Sequence, residues 1–358
     1  MTQVLRVGIV GCGQIADAHI KEIAKIASGK VVAVCDSTRD LAERAARVFS
    51  IPASYDDVEQ MLAEQSLDVV HITTPAASHK SVAMKCLAAG AHVYVEKPFT
   101  IDESEAREVL DLASAAGRQV CVGHNELFDT AWLETRALIR ESVLGEIVHV
   151  ESLQGYDLSG QFGALLRADP DHWVRKLPGA MFQNTISHPA YKITDCLPDW
   201  WPTISARWYH RPALNVPIPV ELRVEMWGQD RTACLWVSST ARPVQRVVRI
   251  YGTKASVEVD LQAQSVTPMV STITRGPFIP MEYSWRKISH GSRTLARFLG
   301  RFARNRIHFF QGMNGLISAF YESALGRGEP PTPPAEIIRV TRMMDQIFAS
   351  CLADGDAK

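Results

Sequence analysis

The chain lacks the features that mark several whole classes of protein. No apolar run approaches the roughly eighteen residues of a membrane span, which argues against an integral helical membrane protein. Its 38 Lys and Arg face 39 Asp and Glu, a formal net charge of −1, so no global positive field favours nucleic acid as a partner. There is no C-x-x-C, no H-E-x-x-H and no histidine pair at ligand spacing, and no metal site is expected. The seven cysteines are an odd number, and Cys35, Cys86, Cys121 and Cys234 sit inside apolar runs. Reduced, buried thiols fit that pattern better than a disulfide framework. Internal repeats and low-complexity tracts are missing. The first residues enter a strand without a signal-peptide pattern, which makes the cytoplasm the expected compartment. What remains is an ordinary globular chain of 358 residues, 46% hydrophobic, with material for about two domains.

What is present is concentrated near the start. Residues 5–10 are a short apolar run, Gly11-Cys12-Gly13-Gln14-Ile15-Ala16 follows, a helical pattern covers 14–27, and a second apolar run, 31–35, ends at Asp36. Strand, glycine turn, helix, strand and acid is the order a dinucleotide-binding βαβ unit requires. Gly11 allows the tight turn, Gly13 lets the backbone approach a pyrophosphate, and Ala16 keeps the helix close to the sheet. The N-terminus of that helix, from Gln14 and Ile15, offers free N–H groups and a positive dipole end to the phosphates. Cys12 reads as a small polarizable filler of the loop. Asp36 is placed to accept hydrogen bonds from ribose hydroxyls and to repel a 2′-phosphate, so NAD is expected before NADP. Arg39 lies close enough to leave that choice open. The competing reading is a glycine turn that merely tightens a βα joint.

After Asp36 the alternation continues, with helices expected over 41–49, 58–62, 78–89 and 103–116 and strands over 68–73, 92–95 and 119–122. Such spacing builds a parallel sheet covered on both faces, whose ligands bind beyond the carboxyl ends of the strands. The segments that leave those ends are Thr73-Thr74-Pro75 with His79, Glu96-Lys97-Pro98, and Gly123-His124-Asn125. Their polar groups should converge on one crevice. The second half reads differently. A helical stretch over 127–140 leads to extended runs at 147–154, 220–227, 232–239, 244–251 and 256–259, several of which alternate as half-buried antiparallel strands do. Pro330, Pro331, Pro333 and Pro334 read as a stiff linker before a final helix over 336–352.

In this order, the glycine turn, Thr74-Pro75 with His79, Ala89-Gly90-Ala91-His92-Val93 leading to Glu96-Lys97-Pro98, Gly123-His124-Asn125, Leu144-Gly145-Glu146-Ile147, Trp173-x-Arg175 and His188 resemble the Gfo/Idh/MocA family of oxidoreductases. The resemblance covers most of the first 200 residues and, thinly, the β-rich remainder. It implies an α/β fold in three parts. A Rossmann domain spans 1–123, and an α+β domain with a large open, mostly antiparallel sheet spans 124–334. A C-terminal helix over 335–358 packs back on the first domain. It also implies a homo-oligomer built through the C-terminal sheet, and a cis bond before Pro98.

The activity implied is NAD(P)-dependent oxidation or reduction of a CH–OH group in a sugar, sugar derivative or nucleotide sugar. Such chemistry needs a group to take the hydroxyl proton and donors to hold the oxygen. Lys97 is the first candidate and His188 the second, with Glu96 beside Lys97 positioning the loop or the cofactor. The family carries Asp-x-x-x-His on a helix lining the substrate pocket, and here the stretch reads Asn184-Thr185-Ile186-Ser187-His188. Asn184 can orient an imidazole or a sugar hydroxyl but cannot hold a negative charge against an imidazolium. By the same resemblance Thr73, Thr74, Pro75, His79, Glu96, Lys97 and Asn125 join the cofactor site. Lys97, Asn125, Trp173, Arg175 and Lys176 join Asn184 and His188 around the substrate. Two other functions stay open: an enzyme that retains its NAD and oxidises a sugar carbon only transiently, for elimination or epimerisation, and a non-catalytic nucleotide-binding sensor or scaffold.

One stretch stands apart. Residues 286–310 hold seven Lys or Arg and no acid, and Leu295, Phe298, Leu299 and Phe302 recur at helical spacing opposite Arg293, Arg297, Arg301 and Arg304. An ordinary helix seated on the sheet is the first expectation. An oligomer contact and a membrane-surface patch near lipid-linked substrates are the others.

Overall fold

The computed structural model describes residues 3–158, 160, 163–164, 166, 169, 171–211, 218–269, 276–303 and 311–355. Six strands, β1 (Leu5–Val10), β2 (Gly29–Cys35), β3 (Ala53–Tyr55), β4 (Val69–Ile72), β5 (His92–Val95) and β6 (Val120–Val122), form a parallel sheet in the order β3-β2-β1-β4-β5-β6. Helices α1 (Gln14–Ile23), α2 (Arg39–Phe49), α3 (Val58–Glu64), α4 (His79–Ala88) and α5 (Glu103–Ala115) alternate with them along the chain. Every residue of β4 and β6 is buried, which is why these strands read as continuous apolar runs. The strand order reverses at β1, whose neighbours are β2 and β4, and this opens a crevice at the carboxyl ends. Of these six strands only β3 is invisible in the sequence pattern, since three residues are too few to show a period.

The second sheet runs β13-β12-β11-β7-β10-β9-β8. Its strands are β7 (Ile147–Gly155), β8 (Thr203–Tyr209), β9 (Glu221–Trp227), β10 (Thr232–Ser238), β11 (Arg246–Gly252), β12 (Ser256–Asp260) and β13 (Ser265–Met269). β7 and β10 are parallel and every other neighbouring pair is antiparallel. The sheet's apolar face, including Val150, Val224, Leu235 and Ile250, shares a core with Ile186, Ala190 and Ile193 from the helical stretch that carries the site. The expected helix over 127–140 divides: Asn125–Phe128 is a 3₁₀ turn, Asp129 is extended, and α6 (Thr130–Arg140) follows.

The helices α7 (Ala180–Thr185) and α8 (Ser187–Cys196) line the crevice and are taken up below. Three helices close the chain: α9 (Ile279–Ala303), α10 (Gln311–Ala324) and α11 (Pro334–Gly355). α10, expected within the second domain, instead buries Met313, Leu316, Ile317, Phe320 and Tyr321 in a core with Leu5, Ile9 and Ile20. Tyr321 lies so close over Gly29 that a Cβ there would come within 2.2 Å of the ring. α11 starts earlier than expected, because Pro334 takes the first helical turn, where its missing N–H is not needed. It bridges the two halves rather than resting on the first alone. Val340, Met343, Ile347 and Phe348 join the second core, Ile337 joins the first, and Arg342 reaches Glu103 on α5 at 2.6 Å. α9 corrects the expectation of a helix seated by its apolar stripe. Leu295, Phe298, Leu299 and Phe302 are exposed, and Arg304, with the rest of 304–310, lies outside the described residues. Among the described residues no helix is long and apolar enough to cross a membrane.

Candidate active site

The glycine turn is built as a cradle. Gly11 sits at φ +94°, and a Cβ on it would strike the Thr74 nitrogen at 2.7 Å. Gly13 needs no special φ (−74°), yet a Cβ on it would meet nothing within 4 Å, so its small size keeps open space above the turn. Gly13 and Gln14 are exposed at the start of α1, Ile15 is half-buried, and Cys12 and Ala16 are buried. Burial pushes the Cys12 thiol up to about 12, as expected of a filler. The backbone N–H of Cys12 donates to Asp36 Oδ2 (2.7 Å) and that of Thr38 donates to Oδ1 (2.8 Å). Each carboxylate oxygen keeps a lone-pair site for a ribose hydroxyl. Arg39 is exposed and tied to Glu43 (2.9 Å) and Asp56 (3.3 Å), while Arg44 holds Asp17 (2.7 Å).

Beyond β4, Thr73 Oγ1 donates to the Gly11 carbonyl (2.6 Å) and Ser78 Oγ donates to Thr74 Oγ1 (2.8 Å). Pro75 is exposed and opens the short turn before α4. His79 is buried, with Nδ1 at 2.9 Å from the Pro98 carbonyl and Nε2 at 2.8 Å from the Thr74 carbonyl. Both ring nitrogens are thus engaged by the protein, and His79 braces the loops after β4 and β5 instead of facing a ligand. The Lys97–Pro98 bond between them is cis.

Glu96 turns inward as well. Its Oε1 accepts from His19 Nε2 (3.0 Å) and its Oε2 from the Lys97 N–H (3.2 Å). Because the carboxylate only accepts, His19 Nδ1 accepts from His71 Nδ1 (2.9 Å), and Tyr321 donates to His71 Nε2 (2.9 Å). Burial alone would raise the Glu96 pKa, but the His19 hydrogen bond and the Lys97 charge outweigh it and hold the carboxyl below its ordinary value. Gly123 leaves room for this group, since a Cβ there would lie 2.9 Å from Oε1. Glu96 therefore positions the Lys97 turn. Asn125, after β6, has a buried Oδ1 with no hydrogen-bond partner among the described residues.

The opposite wall is the interrupted helical stretch α7–α8. Pro189 has no N–H for the Thr185 carbonyl, and the helix breaks at Ile186 between the two segments. At that break Lys97 Nζ donates to the Asn184 carbonyl (3.3 Å) and lies 3.4 Å from Asn184 Oδ1. Asn184 therefore faces Lys97. The partner of His188 Nδ1 is the Tyr191 hydroxyl (2.7 Å), and Glu126 Oε1 lies 3.4 Å away. Here the structure corrects the sequence reading: a carboxylate does stand behind the imidazole, supplied by the segment after β6 and not by position 184. Glu126 is buried in an ion pair with Lys192, itself 1% exposed, with Arg246 3.7 Å from Oε1. Burial works to raise the Glu126 pKa, but Lys192 and the other cations bring it down to about 2. Burial pushes His188 down to about 3, against the pull of Glu126 and helped by Lys97 and Lys192, so the imidazole is neutral at physiological pH.

Glu126, Tyr191 and Lys192 are the residues that sequence reasoning missed. Tyr191 and Lys192 follow His188 by three and four positions, the spacing that shares a helical face, and that was the available signal. Three expected substrate residues lie apart from this cluster. Trp173 is partly buried against the second core, Arg175 Nε donates to the Leu166 carbonyl (3.1 Å), and Lys176 is exposed near Asp171 (3.8 Å). All seven cysteines are free thiols. Among the described residues no group of three or more His, Cys, Asp or Glu is placed to hold a metal ion.

A parallel sheet with a glycine cradle at its switch point is the architecture of a dinucleotide-binding domain. Residues 5–124 match the family model described as "Oxidoreductase family, NAD-binding Rossmann fold". Over this stretch the chain is similar to the Gfo/Idh/MocA oxidoreductases. It is 33% identical over 144 residues to D-glucoside 3-dehydrogenase of Escherichia coli, covering 40% of this chain and 41% of that one. It is 30% identical over 145 residues to inositol 2-dehydrogenase of Salmonella typhimurium, covering 40% and 43%. The matched region thus spans less than half the length of these curated relatives. Over the whole chain the fold is similar to that of the WlbA dehydrogenase from Bordetella pertussis, solved in complex with NADH and UDP-GlcNAcA. There the TM-score is 0.77 at 18% identity, with 98% of this chain and 96% of that chain covered.

Proposed function

We propose that this chain is an NAD-dependent oxidoreductase acting on a CH–OH carbon of a polyhydroxylated substrate: a sugar, an inositol-like polyol or a nucleotide sugar. The observation that carries the reading is the meeting of Lys97 with the Asn184 turn, one helical turn before His188, at the carboxyl edge of the sheet that holds the glycine cradle. The dinucleotide would lie on the backbone of Gly11 to Ile15, with its ribose hydroxyls on Asp36 and an amide N–H available to the orphaned Asn125 Oδ1. When bound, its nicotinamide supplies the hydride acceptor or donor. Pairing of Arg39 and Arg44 with acids leaves Asp36 to set the preference, which supports NAD over NADP.

Lys97 holds the substrate oxygen through its ammonium donors. The Glu126 carboxylate beside Nδ1 selects the Nδ1–H tautomer of His188, which leaves Nε2 as an acceptor for the hydroxyl proton. Exposed Tyr209, Trp227 and Met269 on the second sheet support self-association through that face. The test is to follow absorbance of the reduced nicotinamide with NAD and a panel of hexoses, inositols and nucleotide sugars, ranked beforehand by thermal shift. Net reduction of NAD with one class supports the reading. Retained NAD without net redox change would move it to transient oxidation, and binding without turnover for every class would overturn it.

A further inference from the structure

Helix α9 is turned the wrong way round for a helix on a sheet. Between Ile279 and Gly300 its half-buried positions are polar, including Glu282, Arg286, His290 and Thr294, which follow one another at intervals of four and form one face. That face meets the protein, for His290 Nε2 lies 2.8 Å from Thr267 Oγ1 on β13. The apolar residues Met281, Trp285, Ile288, Leu295, Leu299 and Phe302 fall on the opposite face and are 54% to 70% exposed. A helix of 25 residues is roughly 37 Å long, so this is a continuous apolar stripe and not a scatter of single side chains.

Charge selects what covers it. Between Ile279 and Ala303 there are five basic residues, Arg286, Lys287, Arg293, Arg297 and Arg301, and one acid, Glu282, in a chain whose net charge is −1. Glu282 is already bonded to Arg286 (2.8 Å), while exposed Lys287 and Arg293 have no carboxylate partner among the described residues. A second copy of the helix would be held by apolar contact alone, with no acids flanking the seam to fix a register. The stripe is also too broad for such a seam, since Phe298, 51% exposed, widens it beyond a strict 3-4 repeat. Aromatic and aliphatic residues on one face and Arg and Lys on the other are the pattern of a helix that lies in a bilayer interface.

We propose that α9 docks this protein on an anionic membrane surface, its apolar stripe at the acyl boundary and exposed Lys287 and Arg293 reaching acidic headgroups beside it. The test is co-sedimentation of the full chain with vesicles of phosphatidylcholine alone or mixed with phosphatidylglycerol. Wild type should sediment with the mixed vesicles and about tenfold less with the neutral ones, the difference shrinking in high salt. Leu295→Glu with Leu299→Glu should abolish sedimentation, and Lys287→Gln with Arg293→Gln should weaken it on mixed vesicles only. Both pairs are exposed, so unchanged thermal melting shows that the fold survives. Failure of the wild type to bind mixed vesicles overturns the proposal. So does a wild-type dimer that the Leu295→Glu, Leu299→Glu pair converts to monomer without any change in vesicle binding, since that assigns the stripe to a second copy.

Discussion

Two carboxylates flank the crevice and are held in opposite ways. Asp36 sits half-buried at the edge, its oxygens fixed by the N–H groups of Cys12 and Thr38. Glu126 is buried, and side chains fix it: Lys192, His188 and Arg246. The first arrangement depends on the path of the backbone, which the glycine turn dictates. The second depends on partners far along the chain, each of which must keep its charge or its donor. An acid held by backbone tolerates changes around it, whereas an acid held by a buried ion pair fails when one partner is neutralised.

Lys97 joins these two regions, and removing it should have the largest effect. Lys97→Ala is expected to lower kcat by about three orders of magnitude, within the range for loss of a positioned proton-handling group. The NAD dissociation constant should stay within a few fold, since the cradle and Asp36 do not rest on Lys97. Steady-state kinetics beside equilibrium titration of NAD will check both. A variant that keeps most of the wild-type kcat removes Lys97 from the mechanism.

Glu126→Gln comes next and acts first on stability. It leaves the Lys192 ammonium buried without its counter-charge, a loss of roughly 3 kcal/mol. Adding Lys192→Met should restore most of it. The pH dependence has a definite sign. The Glu126 carboxyl, brought down to about 2 from 4.5, stabilises the fold fully above about pH 4.5, and that contribution is lost as pH falls toward 2. The buried neutral His188, pushed down to about 3 from 6.5, adds a loss that begins earlier, as pH falls below about 6.5. Denaturant melts between pH 7 and pH 3 should therefore show a two-stage fall, and Glu126→Gln should flatten only the lower stage. An identical curve in the variant would mean that Glu126 is not ionised in the fold.

Asp36→Ala is the contrasting case and a smaller one. Its loss should weaken NAD about tenfold and NADP less, with the melting temperature nearly unchanged, because no buried charge is stranded. Calorimetric titration of both dinucleotides will show it. Tighter binding of NADP than NAD by the wild type would take the specificity away from Asp36.

The same contrast explains what was legible in the sequence. β1, the turn and Asp36 are adjacent in the chain, and each residue's role follows from local backbone geometry, so the Rossmann half could be read almost strand by strand. Lys97 and His188 were found through a resemblance, and the structure brings Lys97 to the Asn184 turn beside His188. The Glu126–Lys192 pair was not found, since one acid after Asn125 and one lysine in an apolar helix carry no pattern until the fold brings them together. His79 and Glu96 stand at the expected loops and turn into the protein, and sequence does not say whether a polar side chain faces a ligand or the core. Residues 311–324 fell inside the expected second domain without being read as a helix, and α10 packs on the first sheet because which sheet a helix covers is a property of the whole chain.

The smallest expected effect belongs to Asn184, and it separates the two regions most finely. The family pattern has an acid at this position, and the sequence alone suggests that Asn184 orients His188. In the structure Asn184 Oδ1 lies 3.4 Å from Lys97 Nζ, and the imidazole already has Glu126 and Tyr191. A carboxylate introduced at 184 would therefore act on the ammonium. There it would pair with the ammonium and compete with the substrate oxygen for its donors. Asn184→Asp should accordingly lower kcat/KM about threefold across its pH profile and leave kcat within about threefold. The lower limb, which His188 sets, should stay in place, and only Glu126→Gln should move it. Profiles from pH 3 upward for wild type, Asn184→Asp and Glu126→Gln resolve that limb. A shift of the lower limb in Asn184→Asp would return the imidazole to Asn184 and leave Glu126 a purely structural acid.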